Sequence, residues 1–252
     1  MATEAQANAS PSIDAKQPPL APWDAPVTVT TYEFPRMEPV RFESYSPKHL
    51  KMPLRKDLLH RAVVYEGDMT RQGTASTKWR DDVHGSHRKL IQQKGSGRAR
   101  VGDRQSPIRV GGGVAHGPHP RDFSTDLPAK IYDQAWRTAL SYRYQRGELI
   151  VIDNQISLHP ESTPHLLQTI LDQNEWHTKK GRSTFITMGL DPSMADKFEK
   201  LQRYATLRDA RTVDVKNLLE TKRLIIEKKA LDYFLNRHSR DLVSKPAKAK
   251  YH

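Results

Sequence analysis

The sequence predicts an α/β domain with a mainly parallel sheet, carrying a long basic glycine-rich loop and extended termini. Three observations predict it. Over residues 128–235, short apolar runs alternate with amphipathic stretches, the pattern of strands joined by crossover helices. Residues 71–121 hold 9 of the 13 glycines and show no sustained helix or strand period. Residues 1–53 hold 9 of the 17 prolines, which remove backbone donors and bias their neighbours to extended geometry.

Taken in order, residues 1–53 read as a Pro-rich extended arm, lying on a partner or disordered. The main domain is expected over residues 54–240, with the loop 71–121 inserted in it and a basic tail at 241–252 that includes Lys245, Lys248 and Lys250. Lys56–Tyr65 is a helix, with Leu58, Leu59, Ala62 and Val63 on one face. Pro128 opens the next helix, whose stripe is Ile131, Ala135, Trp136, Ala139 and Leu140, and Gly147 stops it. Leu149–Ile152 is a buried parallel strand. Pro164–Leu171 is a helix, Ser183–Met188 a strand and Ser193–Ala205 a helix. Thr212–Val215 reads as a short strand, Lys216–Glu220 as a helical turn, Arg223–Ile226 as a strand and Lys228–Leu235 as the last helix.

Composition narrows the function. The 252 residues carry 41 Lys and Arg against 29 Asp and Glu, a net charge of +12. The excess is concentrated: residues 71–121 hold 11 basic and 3 acidic residues, net +8. A basic chain of this kind points to a polyanionic partner, nucleic acid first. The absence of cysteine excludes disulfide scaffolds, thiolate metal sites and thiol catalysis. No run approaches the ~18 uncharged apolar residues of a membrane span, so no membrane insertion is expected. Residues 1–26 contain no Arg but carry Glu4, Asp14 and Asp24, so they do not read as a mitochondrial presequence.

The motifs favour binding over chemistry. Gly95-Ser96-Gly97-Arg98-Ala99-Arg100 lacks the third glycine and the preceding strand of a dinucleotide fingerprint. The pairs His84/His87 and His116/His119 lie among glycines and prolines and are read as touching phosphates or bases rather than a metal. Asp122, Asp126 and Asp133 are read as helix-start charges. No catalytic constellation and no cofactor site is expected. The loop itself interleaves arginine with glycine. Arginine offers a planar fork to phosphates and base edges, and glycine lets backbone approach closely. That combination describes a chain that orders inside folded RNA.

Arg71-Gln72-Gly73-Thr74-Ala75-Ser76-Thr77-Lys78, Gln93-Lys94-Gly95-Ser96-Gly97-Arg98-Ala99-Arg100, Ser106-Pro107, Gly111-Gly112-Gly113 and Gly117-Pro118-His119-Pro120-Arg121-Asp122 occur in that order. Together they resemble the bacterial-type L-four family of large-subunit ribosomal proteins, over roughly residues 54–235. Leu207-Arg208-Asp209-Ala210-Arg211 and Val213-Asp214-Val215 are similar to that family's late signature. Val114-Ala115-His116-Gly117-Pro118 resembles mitochondrial members, and the run Trp136–Tyr144 resembles fungal ones. The chain has Lys89-Leu90-Ile91 where the family usually has Lys-Pro-Trp.

The resemblance implies a three-layer α/β/α domain and a loop that reaches into large-subunit ribosomal RNA. It implies RNA binding by Arg71, Lys78, Arg80, Arg88, Lys89, Lys94, Arg98, Arg100, Arg104, Arg109 and Arg121. It places the loop tip, His87, Arg88, Lys89, Leu90 and Ile91, at the peptide exit tunnel. Neighbouring ribosomal proteins, the L-twenty-two family member among them, and the nascent peptide are the implied partners. The expected function is therefore structural, in the mitochondrial large ribosomal subunit, without catalysis. The alternatives are a bacterial-cytoplasmic protein of the same family, a regulatory RNA binder, or an α/β enzyme with an RNA-binding arm. The enzyme reading requires an open cleft with clustered ionisable groups at the strand ends near Asp153 and Gly189.

Overall fold

The computed structural model describes residues 25–176 and 181–242; the parts of the expected arm and tail at 1–24 and 243–252 lie outside the described residues. The chain divides into two compact units, one of Met1–Val63 with Leu127–His252, the other of Val64–Asp126.

Within the first unit, the described residues form one six-stranded sheet of order β2-β1-β3-β6-β4-β5. Its strands are β1 (Val27–Glu33), β2 (Glu38–Tyr45), β3 (Leu149–Ile152), β4 (Ser183–Thr187), β5 (Ala205–Asp209) and β6 (Arg223–Glu227). Among these, β1 and β2 pair antiparallel, and every other neighbouring pair is parallel. The helices are α1 (Pro47–Leu50), α2 (Lys56–Met69), α3 (Ala129–Gln145), α4 (Pro164–Gln173), α5 (Pro192–Lys200), α6 (Val215–Glu220) and α7 (Lys228–Arg237).

Strand alternation deals side chains to opposite faces and so builds two cores. Leu224 and Ile226 of β6 join Leu59, Trp136, Leu140, Leu218, Leu231 and Phe234 on the face covered by α2, α3, α6 and α7. Ile225 joins Phe185, Leu167, Leu171, Met194 and Phe198 on the face covered by α4 and α5. The result is a three-layer α/β/α domain. Because β3 and β6 are buried on both faces, they read in sequence as unbroken apolar runs.

In secondary structure, the chain departs from the sequence reading in three places. Residues 27–50 are not an extended arm: they form β1, β2 and α1, and β1 joins the parallel sheet beside β3. The prolines sit at the turn, at the starts of elements and on the edge strand, where the ladder can do without a donor. Pro26 precedes β1, Pro35 sits in the turn, Pro39 lies on the edge strand at a register shift, and Pro47 opens α1. These are the positions where a missing N–H is tolerated. Second, the helix expected over Ser193–Ala205 stops at Lys200, and Ala205 begins β5, paired with β4 from Ser183↔Ala205 to Thr187↔Asp209. Met194, Phe198, Leu201 and Ala205 are all buried at helical spacing, and the chain nonetheless turns after Leu201. Third, Thr212–Val215 has no ladder partner among the described residues. Val213 is buried in a loop and Val215 opens α6.

Buried polar groups tie the layers together. Arg143, at the end of α3, uses all five guanidinium N–H donors. It donates to the carbonyls of Leu218 (2.9 Å), Leu219 (2.9 Å), Thr221 and Lys222 (3.1 Å), and to the Glu148 carboxylate (2.6 Å). It therefore satisfies the free carbonyls at the end of α6, which no intrahelical donor can reach. Arg137 donates to the Lys48 carbonyl (3.0 Å) and to Asp241. Asp133 is buried and meets His238 at 2.8 Å, so it is a core acceptor rather than a helix-start charge.

Candidate nucleic-acid interface

Residues 71–121 form turns and bends, with neither helix nor strand. They are nonetheless closed by their own backbone. The Arg121 amide donates to the Gly73 carbonyl (3.1 Å), Thr77 to Pro118 (2.9 Å), Val114 to Lys78 (2.9 Å) and Leu90 to Gly102 (2.9 Å). These pairs are nested, so the chain runs out from Arg71 and returns beside itself to Arg121. The Trp79 indole donates to the Gly117 carbonyl (2.9 Å), and its ring packs edge-on to His119 at 4.1 Å.

Glycine is required where the two legs touch. At Gly73, with φ +65°, a Cβ would collide with the Arg121 carbonyl oxygen. At Gly113, a Cβ would run into the Arg80 amide nitrogen and the Trp79 carbonyl carbon. The sequence reading has this segment ordering inside RNA. The structure instead gives it internal bonds of its own.

All eleven expected RNA-binding cations are exposed. The guanidinium groups of Arg71 and Arg121 lie 3.8 and 4.3 Å from the centre of the Phe123 ring, which gathers the two ends of the loop. Arg80 is paired with Asp103, and Lys89 donates to Gln93. Among the described residues, the side chains of Lys78, Arg88, Lys94, Arg98, Arg100, Arg104 and Arg109 make no ion pair, which leaves them presented to solvent.

The tip differs in detail from the expectation. His87 approaches Asp103 at 3.4 Å, and the Leu90 amide closes the innermost pair with Gly102. His87 to Leu90 therefore lie on the outgoing leg, and the apical turn is residues 91–101, with Gly95 and Gly97 at positive φ. A second lobe, residues 105–113, is closed by the Gly113 amide on the Gln105 carbonyl (2.9 Å). It holds Ile108 and Val110 exposed on either side of Arg109.

Sequence reasoning missed the polar centre of the loop. Asp103 and Gln105 are buried, although one is among only three acids in the basic stretch. Burial raises the Asp103 carboxyl, but hydrogen bonds from Arg80 (2.7 Å) and His87, with the Arg80 charge, outweigh it and hold the group below the usual carboxylate range. No spacing or periodicity marks such a residue; a lone acid amid arginines is the only signal.

At the ends of β3 and β6, the polar groups that an enzyme reading would draw on are held in structural bonds. Glu227, buried at the end of β6, accepts the amides of Ile156 (2.8 Å) and Met188 (2.9 Å). Asp153 pairs with Arg41 at 2.5 Å, and Asn154 bonds the backbone of Phe34 in both directions.

Comparison with known proteins agrees with this arrangement. The model of the ribosomal protein L4/L1 family matches residues 44–237. The chain is 45% identical over 269 residues to the large ribosomal subunit protein uL4m of Neurospora crassa, covering 98% of this chain and 81% of that protein. It is 51% identical over 112 residues to the large ribosomal subunit protein uL4 of Dehalococcoides mccartyi, covering 44% of this chain and 53% of the relative. Against uL4 of Salinibacter ruber it is 57% identical over 84 residues, 33% of this chain and 39% of the relative. A match that runs from the end of β2, through the basic loop, to the last residue of α7 fixes the assignment: the chain belongs to the ribosomal protein L4/L1 family.

Proposed function

We propose that this protein is a structural constituent of the mitochondrial large ribosomal subunit. It holds ribosomal RNA through the exposed cations of residues 71–121 and performs no catalysis. The observation that carries the reading is the loop itself: a self-closed segment of net charge +8 with all eleven cations exposed. Such a surface neutralises phosphates along its length. The mitochondrial placement is supported by the near full-length likeness to the Neurospora crassa protein.

Arg88, Lys94, Arg98, Arg100, Arg104 and Arg109 are the phosphate and base-edge contacts, helped by Lys78, Lys89, Arg71, Arg80 and Arg121. His87, Arg88, Lys89, Leu90 and Ile91, with the apical turn that follows them, face the exit tunnel beside the L-twenty-two family neighbour and the nascent peptide. Binding to large-subunit RNA over a salt series tests the first statement. Charge reversal at Arg98, Arg100 or Arg104 is expected to lower the salt slope by about one unit for each phosphate that is no longer neutralised. An unchanged slope for all three refutes it. Crosslinking from a stalled nascent chain tests the second: crosslinks to residues 87–101 support it, and crosslinks confined to other proteins overturn it. Sedimentation of the tagged protein with organelle large subunits tests the placement.

A further inference from the structure

We infer that the cavity around Asp103 is a base-reading pocket, which takes the amino-bearing edge of an unpaired RNA nucleobase. This rests on the RNA-binding reading above and goes beyond it, from attraction of phosphates to recognition of a base.

The cavity, about 290 Å³, opens on the loop surface and is lined by Arg80, His87, Lys89, Arg100, Val101 and Asp103. Asp103 is only 1% exposed. Its Oδ2 accepts from Arg80 and His87, whereas its Oδ1 is buried and accepts from nothing among the described residues. A buried carboxylate oxygen without a donor is costly, and native structures supply one. The loop does not supply it, and Asp103 lines the cavity through which a bound partner's donor can approach.

The charge pattern says what that donor belongs to. Arg80, Lys89 and Arg100 can only donate, and ionised Asp103 can only accept. The complement is a group with a donor set beside acceptors. A phosphate has acceptors alone and is repelled by Asp103, so phosphate binding gives no reason for an acid at the centre of the most basic stretch. The pairing edge of cytosine has an amino group beside ring N3, that of adenine an amino group beside N1, and that of guanine amino and imino groups beside O6. Each fits, and a carboxylate accepting from a base amino group is an established pairing. Uracil has a single N–H flanked by two carbonyls and no exocyclic amino group, so it lacks the amino-bearing edge and is expected to bind more weakly. The half-buried Val101 side chain and the planar Arg100 guanidinium offer a face on which a splayed base stacks.

The test uses the full chain with large-subunit mitochondrial RNA, probed by dimethyl sulfate and kethoxal, which report adenine, cytosine and guanine pairing edges. The wild-type protein is expected to protect at least one unpaired base whose protection disappears with Asp103→Asn, which turns an acceptor into a donor at that point. Changing that base to uracil is expected to weaken the wild type at least about fivefold and to leave Asp103→Asn unaffected. Amide exchange at Leu90 and Val114 shows whether the variant keeps the loop closed. If it does not, the uracil substitution against wild type alone decides. Protections that all survive Asp103→Asn in a closed loop, or equal binding of the uracil RNA by wild type, overturn the pocket. Salt-dependent binding without a base protected through Asp103 overturns the pocket and leaves the RNA reading standing. Absence of RNA binding by the wild type overturns both.

Discussion

Replacing Arg143 tests how the layers are locked. Its guanidinium gathers four carbonyls around the end of α6 while pairing with Glu148. Arg143→Ala removes one partner of a buried ion pair, a change that costs about 3–5 kcal/mol. Arg146 remains 3.0 Å from Glu148, which places the expectation at the lower half of that range. Arg143→Lys keeps the charge but offers three donors in place of five. Each missing bond to a charged donor costs about 1.5–3 kcal/mol. Urea denaturation of the full chain, followed by circular dichroism, reads both values as a shift in midpoint at constant slope. The thermal midpoint should fall by about 2–4 °C per kcal/mol. A lysine variant within about 0.5 kcal/mol of wild type, a difference typical of neutral surface changes, would refute the claim that the fork geometry organises this corner.

Trp136 is 2% exposed and stacks on His238 at 4.5 Å, so Trp136→Ala should cost about 3–5 kcal/mol in the same assay, and Trp136→Phe clearly less. Burial lowers the pKa of His238 despite its bond to Asp133, with Arg237 and Arg240 also opposing protonation; burial and Arg137 lower that of His49. The unfolded chain then binds more protons between the lowered values and the ordinary 6.5, so stability is complete above 6.5 and falls as pH drops through that window. A stability profile between about pH 7.5 and 5.5, which brackets the ordinary histidine range, checks this, and His49→Gln with His238→Gln should flatten it. Gly113→Ala should cost the loop about 1–3 kcal/mol through overpacking, seen as faster exchange of the Val114 and Thr77 amides with the sheet amides unchanged.

The sheet was legible where burial is two-sided. Leu149–Ile152 and Arg223–Ile226 announce themselves as apolar runs, and the Ala135–Trp136–Leu140 stripe announces α3. The hairpin β1–β2 was hidden by prolines that sit at its turn and edge, where they do no harm. The strand β5 was hidden because Ala205 continues the spacing of α5. In the loop, the cations were visible as composition, but the clasp was not. It consists of backbone donors and acceptors, which every residue carries, and only the glycines betray where the legs meet. Arg143 was equally invisible, since its carbonyl partners lie 75 or more positions away and nothing in a helical arginine distinguishes a buried fork from a solvated charge.

The cross-bonds between the two legs of the loop change when the cost of order is met. Fixing the backbone of one residue takes about 1–2 kcal/mol of conformational entropy, and a segment ordered only on its partner incurs that cost at association. Here the Gly73–Arg121, Thr77–Pro118, Val114–Lys78 and Leu90–Gly102 pairs are made within the chain, so much of the ordering belongs to protein folding. Association of such a preformed arm carries a smaller negative heat-capacity change than coupled folding would, and its encounter rate is governed by electrostatic steering. A partner that binds this loop meets a shape set beforehand, so that most of the conformational adjustment falls to the partner.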